Sequence, residues 1–226
     1  MFDASLAINR RFIEFEVETM AERRILEGVM LLDEYRLYHQ FQRRPDASLV
    51  VDVGGHYGSF TAMAKILWPM SRVLAYEPCH LSADRYRAET ASITGVELIE
   101  AACVSRAAAC NTTVMLYLNE DCASNTLIAG QGLVGSETVA TSSLINDLER
   151  RGSPGISILK LDCEGSEGEL LQDLHDANYM IRVEYICGEW HGEKNAAAIE
   201  NLLPRTHSLT LHRHEWPWGA FFAQLL

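Results

Sequence analysis

The run Val50-Val51-Asp52-Val53-Gly54-Gly55-His56-Tyr57-Gly58-Ser59-Phe60-Thr61 decides the fold of this chain. Residues 49–53 form a short, largely apolar run, which is typical of a parallel strand covered on both faces. A glycine-rich turn follows, and residues 60–67 then place apolar side chains on one helical face until Pro69 ends the helix. A strand, a glycine turn and a helix in this order indicate the start of an open α/β sheet. In such a sheet, ligands bind in the crevice at the carboxyl ends of the strands.

Downstream of this run, strand-like and helix-like segments alternate. Further strands are predicted at residues 73–76, 96–101, 156–161 and 180–187. Helices are predicted near residues 82–91, 170–174 and 194–203. The chain ends with two strand-like runs, 208–212 and 220–225, whose short Trp-Pro-Trp-Gly connection permits only an antiparallel hairpin. The pattern predicts one doubly wound, mostly parallel α/β domain over residues 45–226, closed by a C-terminal antiparallel hairpin.

The N-terminal part has a different pattern, and we expect residues 1–44 to form a helical appendage. Residues 6–42 are predicted to contain two helices, because Ile25, Val29 and Leu32 keep helical spacing. Such an appendage would cover the sheet, pack against the second copy of a homodimer, or close over a substrate as a lid.

Composition narrows the function classes. The chain has 226 residues, of which 48% are hydrophobic and 22% charged, as in ordinary globular proteins. Its formal net charge of −12 disfavours nucleic acid as a substrate, since phosphate backbones would be repelled. There is no apolar run of about 20 residues for a membrane span and no apolar core of a secretory signal. The six cysteines form no CxxC pair, which favours reduced thiols and a cytoplasmic location.

The glycine turn and a later acid predict an adenosine-type ligand. Gly54 and Gly58 permit a tight turn and a close approach of the backbone to a ligand. Glu77 follows the second predicted strand, about 20 residues on, where an acid binds ribose hydroxyls. The G-x-G-x-x-G spacing of a dinucleotide site is missing, and the carboxylate of Asp52 beside the turn would repel a pyrophosphate. A ligand with a free amino group and a sulfonium fits better, which indicates S-adenosylmethionine (SAM).

Three later motifs make the resemblance specific. The three motifs are Ala75-Tyr76-Glu77-Pro78, Val139-Ala140-Thr141-Ser142-Ser143-Leu144-Ile145-Asn146-Asp147-Leu148 and Leu159-Lys160-Leu161-Asp162-Cys163-Glu164-Gly165-Ser166-Glu167, and they follow the run at residues 52–58. In this order the motifs resemble the FkbM family of SAM-dependent methyltransferases over residues 49–191. The resemblance implies a seven-stranded, Rossmann-like class I methyltransferase sheet with an antiparallel last strand. It also implies O-methylation of a hydroxyl on a small molecule, typically a natural product or a sugar.

The resemblance and the strand ends together define the expected cofactor site. We expect SAM to contact Asp52, Gly54, Gly55, His56, Tyr57, Gly58, Glu77, Ala101 and Asp162. Two positions depart from the family pattern: His56 stands where asparagine is usual, and Glu100 where asparagine is frequent.

Candidate catalytic groups follow the fourth and fifth predicted strands. Asp162 and Glu164 come after the fourth, and Glu189 and His191 come after the fifth, so they should share one rim of the crevice. We expect His191 or Asp162 to take the proton of the acceptor, with the other orienting it. The imidazole titrates near neutrality, which favours His191 as the base. Glu164 either joins them or accepts hydrogen bonds at a helix N-terminus.

Alternatives remain open at this point. Asp162, Glu164 and Glu189 could instead hold a magnesium ion that acidifies the acceptor hydroxyl, although nothing in their spacing requires a metal. The chain could also be an inactive SAM-binding protein or, on a similar fold, an NAD-dependent oxidoreductase. The long stretch at residues 119–137 is predicted to be a loop that faces the substrate.

Overall fold

The computed structural model describes the backbone of residues 2–8, 11–120, 124–130, 132–214 and 218–226, and side chains from Phe15 onward within these ranges. The strands are β1 (Phe2–Ile8), β2 (Arg11–Val17), β3 (Leu49–Val53), β4 (Arg72–Tyr76), β5 (Val96–Ile99), β6 (Ala102–Val104), β7 (Thr113–Leu118), β8 (Gly135–Ser143), β9 (Ile158–Leu161), β10 (Tyr185–His191), β11 (His207–Leu211) and β12 (Trp218–Leu225). The helices are α1 (Met20–Met30), α2 (Leu37–Arg43), α3 (Ser59–Leu67), α4 (His80–Thr90), α5 (Leu144–Arg150), α6 (Glu167–Asp176) and α7 (Glu193–Leu202).

Seven strands form the main sheet, in the order β11-β12-β10-β9-β3-β4-β5. The central pairs β10-β9, β9-β3, β3-β4 and β4-β5 are parallel, while β12 runs antiparallel to both β10 and β11. The mostly parallel sheet and the terminal antiparallel hairpin are therefore confirmed. The chain builds outward from β3 to β5 and then from β9 toward β11, so its direction along the sheet reverses between β3 and β9. Ligand crevices of open α/β sheets lie at this switch point.

Helices cover both faces of the sheet. One core lies under α5, α6 and α7, and includes fully buried side chains such as Leu148, Leu171 and Ile199. The opposite core joins α3 to the N-terminal helices, because Val29 of α1 packs in the same cluster as Phe60 and Met63. Burial of β3 on both faces explains its nearly continuous apolar sequence.

The N-terminal prediction of two helices over residues 6–42 is partly wrong. Residues Phe2–Ile8 and Arg11–Val17 form an antiparallel pair of strands, and the first helix begins only at Met20. The sequence explains the difference, because Phe15 and Val17 are buried while Glu16 between them is exposed, a period of two that suits a strand. Thr19 then starts α1 with a capping box to Glu22. Whether residues 1–44 form a separate appendage stays a prediction.

Several strand boundaries also differ from the predictions. The third strand ends at Ile99, and Ala102–Val104 joins a separate three-stranded sheet in the order β6-β8-β7. The fifth begins at Tyr185 rather than at residue 180, because Met180–Arg182 forms a 3-10 turn. Glu189 and His191 therefore lie within the end of β10. The connection of the terminal hairpin at residues 215–217 lies outside the described residues, as do residues 121–123 and 131 of the predicted substrate-facing loop.

Candidate active site

A cavity of about 330 Å³ opens at the carboxyl ends of β3, β4, β9 and β10. Its floor is the β3–α3 turn, and its far wall comes from α1 and the residues that follow it, including Tyr35. Ser124 and Asn125, from the stretch predicted to face the substrate, line a further side. The cavity therefore lies at the switch point of the sheet, where the strand order predicts a ligand.

The glycine turn at its floor is shaped by packing between strands. Gly54 has φ +80°, and a Cβ there would overlap the carbonyl oxygen of Asp162 on the neighbouring strand. The backbone N–H groups of Gly54 and Gly55 both donate to the carbonyl of Tyr76, at 3.0 and 2.9 Å. Gly58, with φ +86°, is the N-cap of α3. Gly54 and Gly55 line the cavity, whereas Gly58 does not.

His56 occupies the left-handed region at φ 47°, where histidine and asparagine are enriched among residues other than glycine. This conformation explains how histidine can replace the asparagine usual in the family the sequence resembles. Burial, aided by the charge of Lys160, lowers the pKa of His56 to about 4, so the ring is neutral at physiological pH. Its Nε2 is buried and has no hydrogen-bond partner among the described residues.

Glu77, at the end of β4, is a buried acid that faces the cavity. Its two carboxylate oxygens accept hydrogen bonds from the backbone N–H groups of His56 and Cys79, each at 2.8 Å. Burial raises the pKa of Glu77 to about 7 against the opposing effect of these bonds. The bonds fix the carboxylate at the cavity wall, where its remaining lone pairs can accept hydroxyl hydrogens.

Asp52 does not contact the cavity, which corrects its predicted role beside a ligand. Its side chain is 0% exposed and accepts a hydrogen bond from Thr61 Oγ1 at 2.8 Å. Lys160 Nζ lies 3.3 Å from Asp52 Oδ1 and 3.7 Å from Asp162 Oδ2, and donates to the carbonyl of Gly54 at 2.5 Å. Lys160 is therefore shared between two carboxylates. Asp52 acts beneath the cavity, by holding this lysine under the turn.

Acidic side chains converge at the end of the cavity formed by β9 and β10. Asp162 accepts a hydrogen bond from the Tyr35 hydroxyl at 2.7 Å. Although burial would raise it, the pKa of Asp162 is lowered by the charges of Lys160 and His191 and by this bond. Burial and the charge of Asp162 raise the pKa of Glu189 to about 8. Glu34 lines the same end.

His191 lies just behind this acidic wall and is surrounded by carboxylates. Its Nδ1 lies 3.0 Å from Glu167 Oε1, and its Nε2 lies 3.4 Å from Glu164 and 3.8 Å from Glu189. Burial alone would lower the pKa of His191. The hydrogen bond to Glu167 and the charges of Glu164 and Glu167 instead raise this pKa to about 10. The ring is therefore an imidazolium at neutral pH and cannot accept a proton, so the reason for favouring His191 as the base was wrong.

The two glutamates of the Asp162–Glu167 segment have separate places. Glu164, in the left-handed region at φ 54°, lines the cavity. Glu167 is 0% exposed and accepts hydrogen bonds from the backbone N–H groups of Cys163 and Gly165. Glu167 therefore shapes the loop and holds His191, while Glu164 faces the ligand space.

The remaining predicted positions lie off the cavity. Tyr57 stacks on His56 at 3.7 Å between ring centroids and packs under Arg85. Ala101 is buried, and the next two residues rather than Ala101 form the wall. Glu100 lies on the surface, paired with His80 and Arg87. Of the residues expected to contact the cofactor, those that line the cavity are Gly54, Gly55, His56, Glu77 and Asp162.

Sequence reasoning missed Glu34 and Tyr35 as site residues. Tyr35 and Asp162 are 127 positions apart, and no spacing pattern connects them. The helical stripe predicted just before Tyr35 indicates only packing, and the hydroxyl that reaches Asp162 is visible only in the fold.

The residues present fit an adenosyl cofactor. His56 Nε2 and Asn125 Nδ2 are buried polar atoms on the cavity-lining residues, and neither has a hydrogen-bond partner among the described residues. Glu77 presents a fixed carboxylate to ribose hydroxyls, and Gly54 and Gly55 bring the backbone of the turn to the cavity wall. Together with the strand order, the cavity defines a class I SAM-dependent methyltransferase.

Comparison with known proteins gives the family. The methyltransferase FkbM domain matches residues 52–210, and the chain belongs to this family. It is 26% identical over 223 residues to 31-O-demethyl-FK506 methyltransferase FkbM of Streptomyces tacrolimicus, covering 87% of this chain and 85% of the relative. It is 23% identical over 205 residues to methyltransferase sdnD of Sordaria araneosa, covering 76% and 78%.

A likeness among solved structures agrees with this fold. A Streptococcus mutans protein in complex with S-adenosylhomocysteine (SAH) matches with a TM-score of 0.52 and 12% identity, covering 84% of this chain and 97% of that one. At this identity the likeness concerns the fold. Within the described part of the chain, no helix is both long enough and apolar enough to cross a membrane.

Proposed function

We propose that this SAM-dependent methyltransferase methylates a hydroxyl of a small molecule, such as a natural product or a sugar. The observation that carries the proposal is the acidic end of the cavity, where Asp162 and Glu189 share one space with the cofactor-binding turn. Carboxylates accept hydrogen bonds from hydroxyls and can take up their protons. The name of the Streptomyces tacrolimicus relative specifies an oxygen acceptor, which supports the same chemistry.

Asp162 is the residue that we assign to the acceptor proton. SAM supplies a methyl group that is already activated by its sulfonium, so the protein has to align the acceptor and remove one proton. The lowered pKa of Asp162 keeps its carboxylate ionised at neutral pH, and the Tyr35 hydroxyl and Lys160 fix its position. His191, as an imidazolium, orients Glu164 at the same wall.

The test is methyl transfer from SAM to a panel of alcohols, sugars, amines and carboxylic acids, read by mass spectrometry. Asp162→Asn should lower turnover of an alcohol acceptor at least about a hundredfold while SAH still binds. Glu169→Gln, on the exposed face of α6, is the matched control and should leave turnover unchanged. Transfer only to amines or carboxylic acids would refute the assignment of a hydroxyl. SAM binding without transfer to any acceptor class would favour an inactive binding protein.

A metal-dependent reaction is the second candidate. Ligand atoms of Asp162, Glu164 and His191 all lie within 4.8 Å of one another, and Glu167 holds Nδ1 of the histidine as carboxylates do behind metal ligands. This set differs from the predicted one, because His191 takes the place of Glu189. If a chelator abolished turnover and magnesium or manganese restored it, the metal would replace Asp162 as the means of activating the hydroxyl.

We also propose a cellular location, a class of acceptor and an oligomeric state. We expect the chain to act in the cytoplasm, where the five described cysteines, all free, would stay reduced. Its net charge of −12 argues against nucleic acid as the acceptor. A homodimer is proposed as well, and sedimentation of the purified chain would test it.

A further inference from the structure

The segment between α1 and α2 is anchored to the sheet at the reactive end of the cavity. The Tyr35 hydroxyl donates to Asp162, which directly follows β9, and the Tyr185 hydroxyl of β10 donates to the backbone carbonyl of Tyr35 at 3.0 Å. Tyr35 is buried, with its ring edge-on to Phe60 of α3. The neighbouring residue, Glu34, is therefore held at a fixed place on the cavity wall.

The Glu34 side chain is a half-buried carboxylate without a dedicated partner. Among the described residues, no group donates a hydrogen bond to its oxygens. Gly28 of α1 makes room for it, because a Cβ at that position would overlap the Glu34 carboxylate. Burial and the charge of Asp162 raise the pKa of Glu34 to about 7, and Lys160 opposes this only in part. A partly desolvated, unpaired carboxylate costs stability, which indicates a role toward a ligand.

Negative charge dominates the surroundings of Glu34. The charged groups of the neighbouring elements are Arg24 of α1, Lys160 of β9, Asp162 and Glu164 of the loop after β9, and Glu189 and His191 of β10. Lys160 is shared between Asp52 and Asp162, and His191 is bound by Glu167. These two buried cations already have carboxylate partners, so Glu34 and Glu189 leave this end of the cavity short of positive charge.

The strand order places the acidic end of the cavity, with Glu34 and Glu189, opposite the end where adenosine would bind. Glu77 directly follows β4, while Asp162 directly follows β9 and Glu189 lies in β10, on the other side of the central strand β3. With the ribose held at Glu77, Asp162 and Glu34 would be the residues that face the sulfonium part of the cofactor. The reactive sulfur carries a positive charge in SAM and none in SAH.

We propose that Glu34 is the residue by which this site prefers the cationic cofactor SAM to its neutral product SAH. The carboxylate attracts the sulfonium through space, and that attraction disappears once the methyl group has left. The preference would load the enzyme with SAM and speed release of SAH. The inference rests on SAM use by this family and is independent of which acceptor is methylated.

The experiment measures the affinities of SAM, SAH and sinefungin by calorimetry at about pH 8, with the full chain and no acceptor. Sinefungin is an unreactive analogue that carries an amine in place of the methyl-sulfonium, so it reports charge recognition apart from transfer. Glu34→Gln should weaken SAM and sinefungin about tenfold and change SAH less than about twofold. Glu27→Gln, on the exposed part of α1 and paired with Arg23, is the control and should change none of the three.

Each outcome decides the proposal. If Glu34→Gln lowered the affinities for all three ligands equally, Glu34 would only shape the cavity wall. Any result that leaves the ratio of SAM affinity to SAH affinity unchanged would overturn the proposal. If Glu34→Gln does not fold, Glu34→Asp serves instead. Aspartate keeps the negative charge but, being shorter, holds it farther from the ligand. Glu34→Asp should therefore lower the ratio of SAM affinity to SAH affinity by a smaller factor, and an unchanged ratio would again overturn the proposal. Failure of the unaltered chain to bind SAH would be a separate result, against the cofactor itself.

Discussion

Replacing Lys160 with methionine tests how the cavity floor is held together. Lys160 is about 95% buried, and its ammonium lies between the carboxylates of Asp52 and Asp162 while donating to the carbonyl of Gly54. Methionine has a similar length and no charge. Lys160→Met therefore leaves the buried carboxylate of Asp52 and the partly exposed carboxylate of Asp162 without their shared cation. It also removes the hydrogen bond to the carbonyl of Gly54.

The expected loss follows from that burial. Removing one partner of a buried ion pair costs about 3–5 kcal/mol of unfolding free energy, because the charge left behind is uncompensated. For a chain of this size, each kcal/mol lowers Tm by about 2–4 °C, so Tm should fall by roughly 6–20 °C. Burial already raises the pKa of Asp52, with Lys160 opposing it. Without the lysine, a carboxylate would take up a proton more readily, so the loss should be larger at about pH 8 than at about pH 5.

Urea unfolding followed by circular dichroism at both pH values measures the loss. Asp52→Asn combined with Lys160→Met should cost less than the sum of the two single changes, since the pair is in direct contact. Lys194→Met, at an exposed position of α7, is the control and should change stability by less than about 0.5 kcal/mol. A loss below about 1 kcal/mol for Lys160→Met, or strict additivity with Asp52→Asn, would refute the account of the floor.

Two further predictions concern the backbone of the glycine turn and the titration of His191. Gly54→Ala should cost several kcal/mol and abolish SAH binding, because φ is +80° and the Cβ would overlap the Asp162 carbonyl, whereas Gly130→Ala, with open space around it, should be neutral in both assays. His191 has a raised pKa of about 10, so its stabilising contribution is complete below about pH 6.5 and is lost as pH rises through 10. In chelator-treated protein, His191→Gln should therefore flatten the fall in unfolding free energy between about pH 7 and 10; an unchanged slope would show that Glu167 does not hold an imidazolium.

The sheet could be predicted because each of its central strands carries its own signal. The apolar run of β3, the glycine turn and the acid at Glu77 fix the first two strand–helix units locally, and the short terminal connection permits only a hairpin. The N-terminal strands escape prediction because the clear helical stripe at Ile25 and Val29 dominates the pattern of this segment. The alternation around Glu16 that marks β2 spans only a few residues.

The acids of the candidate site were predictable to the extent that they follow parallel strands. Asp162, Glu164 and Glu189 share one cavity, because the carboxyl ends of such strands meet at one edge. Asp52 shows the limit of this reasoning, since its side chain is turned into the protein beside Thr61 and only the fold reveals that. The role of Glu34 could not be predicted from the sequence, because its position depends on how a segment distant in sequence crosses the sheet.

The binding of SAM in this cavity is tested most directly by a calorimetric titration of the purified chain with SAH and, separately, with NAD, repeated with Glu77→Ala. One SAH should bind per chain, Glu77→Ala should lose most of the SAH affinity, and neither protein should bind NAD. Binding of NAD in preference to SAH, or SAH affinity unaffected by Glu77→Ala, would contradict the assignment of this cavity to SAM.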